Sequence, residues 1–285
     1  MSARPPCAAL ASGVIALLFA IGASAQSPPQ PVPRRIVSLA PSVTEVLFEA
    51  GLGARVVGVT SHCLFPREVS ALSKVGGYLT PSYEAIVALR PDLIVTVPEH
   101  ADLEPRLRAL GFPILRLDHR SLDGIIRSIE QVGERGGAAP LAHRAADALR
   151  QRLGALERIA ARPRPRVLTI IGRTEDFRQL TTAAPGTIYD DLIARAGGAN
   201  VLTSRAASYP TLSIEGVIRL DPDVILEFSS GGAERTLRRQ WDRLDAVTAV
   251  KAGRVFVFTD ESLFVPGPRF VRFADTIARA LRGGR

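Results

Sequence analysis

His62 and Cys63 are neighbours, an imidazole beside a thiol, and either side chain can ligate a borderline or soft metal centre. Adjacent loop residues seldom aim at one point, so one of the pair is expected to line a site while the other packs inward, as a lone cysteine usually does. A Cys63 nucleophile with His62 as base meets the same geometric objection and lacks an Asp or Asn orienter. The chain has no HExxH pair, phosphate-binding glycine loop or nucleophile-elbow serine, so an enzyme is not expected. His62, His100 and His119, with Glu99, form a second candidate set, for zinc or manganese. Zinc requires three or four convergent N, O or S ligands, and these residues have no recognised ligand spacing.

A third set emerges from an internal repeat. An offset of 131 takes Arg35 to Arg166, and it takes Tyr78, Thr80, Ser82 and Glu84 to Tyr209, Thr211, Ser213 and Glu215. The same offset takes Leu89, Pro91, Asp92 and Ile94 to Leu220, Pro222, Asp223 and Ile225. Each copy reads as a capped helix start, with Thr80 or Ser82 as cap and Glu84 in the first turn, where the helix dipole favours an anion. Asp92 then turns the chain into a strand, and Asp223 does the same in the second copy. Tyr78 and Tyr209 thus occupy equivalent places, as do Glu84 and Glu215. Both glutamates also complement a helix dipole, a role that needs no partner.

Strand-like runs lie at 35–40, 56–60, 93–97, 114–117, 166–171, 224–228 and 255–258. Helical patterns fall at 41–51, 82–90, 102–110, 187–196, 213–220, 234–241 and 268–282. Strands alternating with helices predict α/β architecture with largely parallel sheets. Between the halves, 141–161 is rich in Ala, Leu, Arg and Glu, with Ala145, Leu149, Leu153 and Leu156 at helical spacing and Pro163 to stop it. The natural inference is two Rossmann-like lobes joined by one long helix: an N-terminal lobe at 35–137, the helix at 138–163 and a C-terminal lobe at 164–285. A crossover helix within one sheet is the alternative.

Of the 285 residues, 46% are hydrophobic and 22% charged, ordinary values for a globular chain. The net charge is +8, without a dense Lys/Arg block and with few aromatics, so a nucleic-acid groove is not expected. Residues 1–25 read as a cleavable signal peptide: Arg4, an apolar run at 8–23, then Ala23-Ser24-Ala25 as a cleavage site before a linker at 26–34. An uncleaved anchor is the alternative. Cys7 falls within the leader, which leaves Cys63 without an intrachain partner.

Over residues 34–282 the chain resembles the periplasmic binding proteins of cobalamin, haem and ferric-siderophore importers. The resemblance is carried by Arg35-Ile36-Val37-Ser38-Leu39-Ala40-Pro41-Ser42-Val43-Thr44-Glu45, by Val57-Gly58-Val59-Thr60, by Glu84 through Pro91-Asp92, and by Pro268-Arg269. It implies a ligand cleft between the lobes, delivery to an ABC importer permease, a periplasmic location and a monomer. Cobalamin-binding members look closest, with haem or a ferric siderophore as alternative ligands. His62, within Gly58-Val59-Thr60-Ser61-His62-Cys63-Leu64-Phe65-Pro66, stands where those members place an aromatic; it is the candidate axial ligand. The ligand-facing set expected is His62, Cys63, Phe65, Tyr78, Glu99, His100, Arg173, Tyr209, Ser262, Phe264 and Arg269. Arg173 and Arg269 are the groups that suit an anionic siderophore. Glu84 and Glu215 match the acids that pair with permease arginines. No catalytic cofactor is implied.

Overall fold

The structure is a computed structural model that describes residues 31–160 and 163–283. The expected leader at 1–25 and the start of the linker lie outside the described residues.

The first half folds as β1 (Ile36–Ser38), α1 (Pro41–Glu49), β2 (Val56–Val59), β3 (Ser73–Lys74), α2 (Tyr83–Ala88), β4 (Leu93–Thr96), α3 (Glu104–Ala109) and β5 (Ile114–Arg116). Its sheet is parallel throughout, in the order β3-β2-β1-β4-β5. Two helices follow, α4 (Leu122–Arg135) and α5 (Ala139–Arg158). The second half comprises β6 (Arg166–Arg173), β7 (Gln179–Thr182), α6 (Ile188–Arg195), β8 (Ala199–Asn200), β9 (Thr211–Ser213), α7 (Ile214–Leu220), β10 (Val224–Phe228), α8 (Glu234–Trp241), α9 (Thr248–Lys251), β11 (Val255–Phe258) and α10 (Pro268–Leu281). Its sheet runs β11-β10-β6-β7-β9, with β8 paired to β6. This second sheet is mixed, because β7 runs antiparallel to both β6 and β9.

The repeat is visible atom by atom. The Arg35 guanidinium donates to the Leu89 carbonyl at 2.7 and 2.9 Å, and Arg166 donates to the Leu220 carbonyl at 2.7 Å. Asp92 accepts from the Arg35 backbone N–H at 2.8 Å, and Asp223 from that of Arg166 at 2.7 Å. In each copy the helix is capped by the serine rather than the threonine: Ser82 Oγ accepts from Ala85 N–H and Ser213 Oγ from Gly216 N–H. That removes one orphan donor at each helix start.

The helix between the halves does not stand alone. α5 has 20 residues, about 30 Å at 1.5 Å per residue. It packs antiparallel on α4, and the two approach so closely that a Cβ on Gly133 would meet the Ala142 Cβ at 2.1 Å. A continuous apolar core then runs through both halves, with Val43 and Leu47 of α1, Ile125 and Ile129 of α4, Leu149 and Leu153 of α5, Leu192 of α6, and Phe270 and Ile277 of α10. Smaller cores cover the other faces of the two sheets, around Leu39, Ile86 and Ile94 in the first and Leu168, Ile225 and Trp241 in the second. The two sheets therefore stand on a shared helical layer of which α5 is one member.

Candidate functional site

In α/β sheets of this type, ligands bind beyond the carboxyl ends of the strands. Both sheets turn that edge toward a common cleft of about 860 Å³. From the first half it is lined by Pro41 and Ser42 after β1, His62 and Leu64 after β2, Tyr78, then Val97, Pro98 and Glu99 after β4, and His119 and Arg120 after β5. The second half supplies Gly186, Thr187 and Ile188 at the start of α6, Ser208 and Tyr209 before β9, Ser230 after β10, and Glu261, Phe264, Val265 and Pro266 after β11.

Glu99 is the electrostatic centre of this cleft. The Tyr78 hydroxyl is pushed up to about 12, by burial first and then by the neighbouring Glu99 carboxylate. Burial and the same carboxylate push the Tyr209 hydroxyl up as well. One acid thus acts on a phenol from each half, and both phenols stay protonated donors across the physiological range. Tyr209 is 47% exposed and Phe264 37%, so large apolar surface faces the cleft without a partner.

The histidines divide by position. His62 lines the cleft from an exposed loop. His100 lies behind Tyr78: its Nδ1 accepts from the Val97 N–H at 3.3 Å, which leaves Nε2 to donate to the Tyr78 carbonyl at 2.9 Å. The rings meet edge to face at 5.0 Å, so His100 holds Tyr78 in place. His119 is 5% exposed and pairs through Nδ1 with Ser42 Oγ at 2.9 Å, while its Nε2 has no hydrogen-bond partner among the described residues. Burial pulls its pKa down to about 4, so the ring is neutral at neutral pH. The zinc or manganese set does not assemble: among the described residues there is no group of three His, Cys, Asp or Glu side chains that would hold a metal ion.

Of the residues expected from sequence to face a ligand, His62, Tyr78, Glu99, Tyr209 and Phe264 line the cleft and six do not. Cys63 is 1% exposed and turned into the core, where its sulfur bonds to Thr44 Oγ1 and Thr60 Oγ1 at 3.2 Å each. Phe65 points away and carries the Arg269 guanidinium over its ring at 4.0 Å. His100 and Ser262 are buried behind the wall. Arg173 is partly buried and forms an ion pair with the buried Glu227 at 3.0 Å, and Trp241 donates to the same carboxylate at 2.6 Å. Arg269 is held by Glu45 at 2.6 Å. Glu84 and Glu215 are exposed on their helices, each held anionic by backbone N–H donors and by its capping serine.

Sequence reasoning passed over the Ser42 and His119 pair as a unit, and the wall formed by Gly186, Thr187 and Ile188. The second carried a signal: Gly186-Thr187 precedes Asp190 and a helical pattern, and Thr187 caps α6 by accepting from Asp190 N–H at 3.3 Å.

Comparison with known proteins agrees with this architecture. The periplasmic binding protein family matches residues 36–261. The vitamin B12-binding protein of Vibrio cholerae serotype O1 is 30% identical over 252 residues, covering 87% of this chain and 89% of its own length. Among solved structures, the periplasmic vitamin B12 binding protein of Vibrio cholerae superposes with a TM-score of 0.75 at 28% identity, over 88% of this chain and 97% of that one. The periplasmic haem-binding protein of Roseiflexus sp. RS-1 superposes with a TM-score of 0.74 at 27% identity, over 88% and 98%. With its two sheets, shared helical layer and cleft at the strand ends, the chain belongs to the periplasmic binding proteins.

Proposed function

We propose that this protein binds cobalamin, or a related corrinoid, in the cleft and delivers it to the permease of an ABC importer. The observation that carries the reading is the placement of Tyr78 and Tyr209, one from each half, around Glu99 in a single cleft. Aromatic walls cover a flat macrocycle at small entropic cost, and a few fixed polar groups then orient its amide fringe. A volume near 860 Å³ suits a cofactor-sized ligand and far exceeds what a bare metal ion needs. The likeness to vitamin B12-binding proteins supports the same ligand.

Haem is the second reading. It is favoured by the uncharged His119 ring and by His62 at the cleft, both nitrogen donors suited to iron, and by the haem-binding structural relative. For an anionic siderophore the argument from Arg173 and Arg269 falls away, because both are paired outside the cleft. Arg120, which does line the cleft, is itself paired to Asp118 and shares the lining with the acids Glu99 and Glu261.

In this reading Glu84 and Glu215 are the docking acids for permease arginines, residues 1–25 are removed on export near Ala25, and the protein acts as a monomer. The lobes then run over 35–137 and 164–285 with 138–163 between them. The cleft performs no turnover. Titration of the purified protein with cyanocobalamin and haemin, followed by calorimetry and absorbance, tests the reading. One-to-one binding of cyanocobalamin is expected, and no binding of either at micromolar concentration removes it.

A further inference from the structure

We propose that Arg269 is a positioning residue that fixes the width of the cleft. Three segments reach the cleft from different parts of the chain: the start of α1, the loop around His62 and Leu64, and the loop that ends at Pro266. One residue links all three: its guanidinium contacts two of the segments and its backbone continues the third. Arg269 donates through Nε and Nη2 to Glu45 Oε1 at 3.0 and 2.6 Å, one turn along α1 from Pro41 and Ser42. Its Cζ stands 4.0 Å over the ring of Phe65, the residue next to Leu64. Arg269 itself opens α10, three residues after Pro266.

This joint crosses between the halves, since α1 follows β1 and α10 follows β11. Glu45 is only 4% exposed, and its Oε2 has no hydrogen-bond partner among the described residues. It lies against Gly267, where an added Cβ would stand 2.8 Å from Oε2, so the loop approaches α1 as closely as glycine permits. A second pair, Glu49 with Arg272, repeats the link one turn deeper. A well-packed apolar pair at such a place often stabilises as well as an ion pair; what a charge pair can add is a defined register. A recess of about 250 Å³ beside Phe65 and Arg269 leaves the joint open on one side, so packing alone does not fix it.

The proposal concerns the cleft's geometry and rests on the cleft reading only for its effect on binding. The test places spin labels on the repeat-equivalent, exposed positions Ala88→Cys and Arg219→Cys, with Cys7 replaced by serine and the buried Cys63 retained. Pulsed EPR without ligand is expected to give one narrow distance for Arg269 and a distribution wider by about 2 Å or more for Glu45→Met/Arg269→Met, at a melting temperature that still reports a folded protein. Cyanocobalamin is expected to dissociate from the double variant about tenfold faster. An unchanged distance distribution in the folded double variant overturns the proposal, whatever the protein binds. Should that variant not fold, Arg269→Lys decides: lysine keeps the charge but loses the two-nitrogen contact and the flat face on Phe65. A widened distribution in Arg269→Lys supports the proposal and an unchanged one overturns it.

Discussion

Arg90 and Asp221 stand 131 positions apart and share a left-handed backbone, with φ of 45° and 40°. They are equivalent points in the repeat, each at the end of its helix and just before Pro91 or Pro222, so the duplication extends to a conformation that side chains other than glycine rarely adopt. Their side chains differ in use. Asp221 accepts from the Thr248 backbone N–H at 2.7 Å and from its hydroxyl at 2.9 Å, which ties α7 to α9. Arg90 has no such bond among the described residues. Arg90→Gly is therefore expected to raise stability by about 0.5 kcal/mol by relieving the Cβ contact. Asp221→Gly lowers it, because two hydrogen bonds are lost along with the strain. Urea unfolding of both variants checks the opposite signs.

The buried histidines give stability a defined pH dependence. His119 has a pKa of about 4 in the folded protein against an ordinary value near 6.5, and burial lowers that of His100 in the same direction. Between those limits the unfolded chain binds more protons, so stability rises with pH. The contribution is fully present above about pH 6.5 and is lost as pH falls toward 4; for His119 it is worth up to about 3 kcal/mol. Glu45 and Glu227, whose carboxyls burial pushes up, act in the opposite sense at acid pH. Comparison of wild type with His119→Gln isolates the histidine: urea midpoints measured from pH 7.5 to 5 are expected to fall less in the variant.

The contact between α4 and α5 tolerates no side chain at Gly133, where a Cβ would overlap Ala142. Gly133→Ala is expected to cost about 1–3 kcal/mol, despite alanine's better helix propensity, because the hairpin must spread. Thermal unfolding measures it; a variant as stable as wild type contradicts the close approach.

Glu84 and Glu215 are exposed and are not among the residues that line the cleft, so reversing both to arginine is expected to leave cyanocobalamin affinity unchanged. In cells that depend on this protein for cobalamin, uptake is expected to stop. Normal uptake removes the docking role.

Much of the fold was legible because the strands with apolar runs, β1, β4, β10 and β11, announce themselves, and because the repeat exposes the caps. The short strands β3, β7, β8 and β9 were not, since Ser73-Lys74, Gln179-Leu180-Thr181-Thr182, Ala199-Asn200 and Thr211-Leu212-Ser213 are too short or polar for a period to show. Helix α4 was legible and passed over: Leu122, Ile125, Ile126, Ile129 and Val132 are buried at helical spacing, and Ser121 caps them by accepting from Gly124 N–H. At the site, residues found through the repeat, Tyr78 and Tyr209, share the cleft. Those chosen for charge, Arg173 and Arg269, do not, because Glu227 and Glu45 claim them from positions distant in sequence. Cys63 follows the rule for lone cysteines and packs inward while its neighbour His62 faces the cleft.

The two-walled cleft is tested most directly by calorimetric titration of wild type, Tyr78→Ala and Tyr209→Ala with cyanocobalamin. One site is expected in wild type, with each variant weaker by about 1–3 kcal/mol, or roughly tenfold to a hundredfold, as for an aromatic anchor removed from a binding surface. Wild-type affinity in both tyrosine variants contradicts the account.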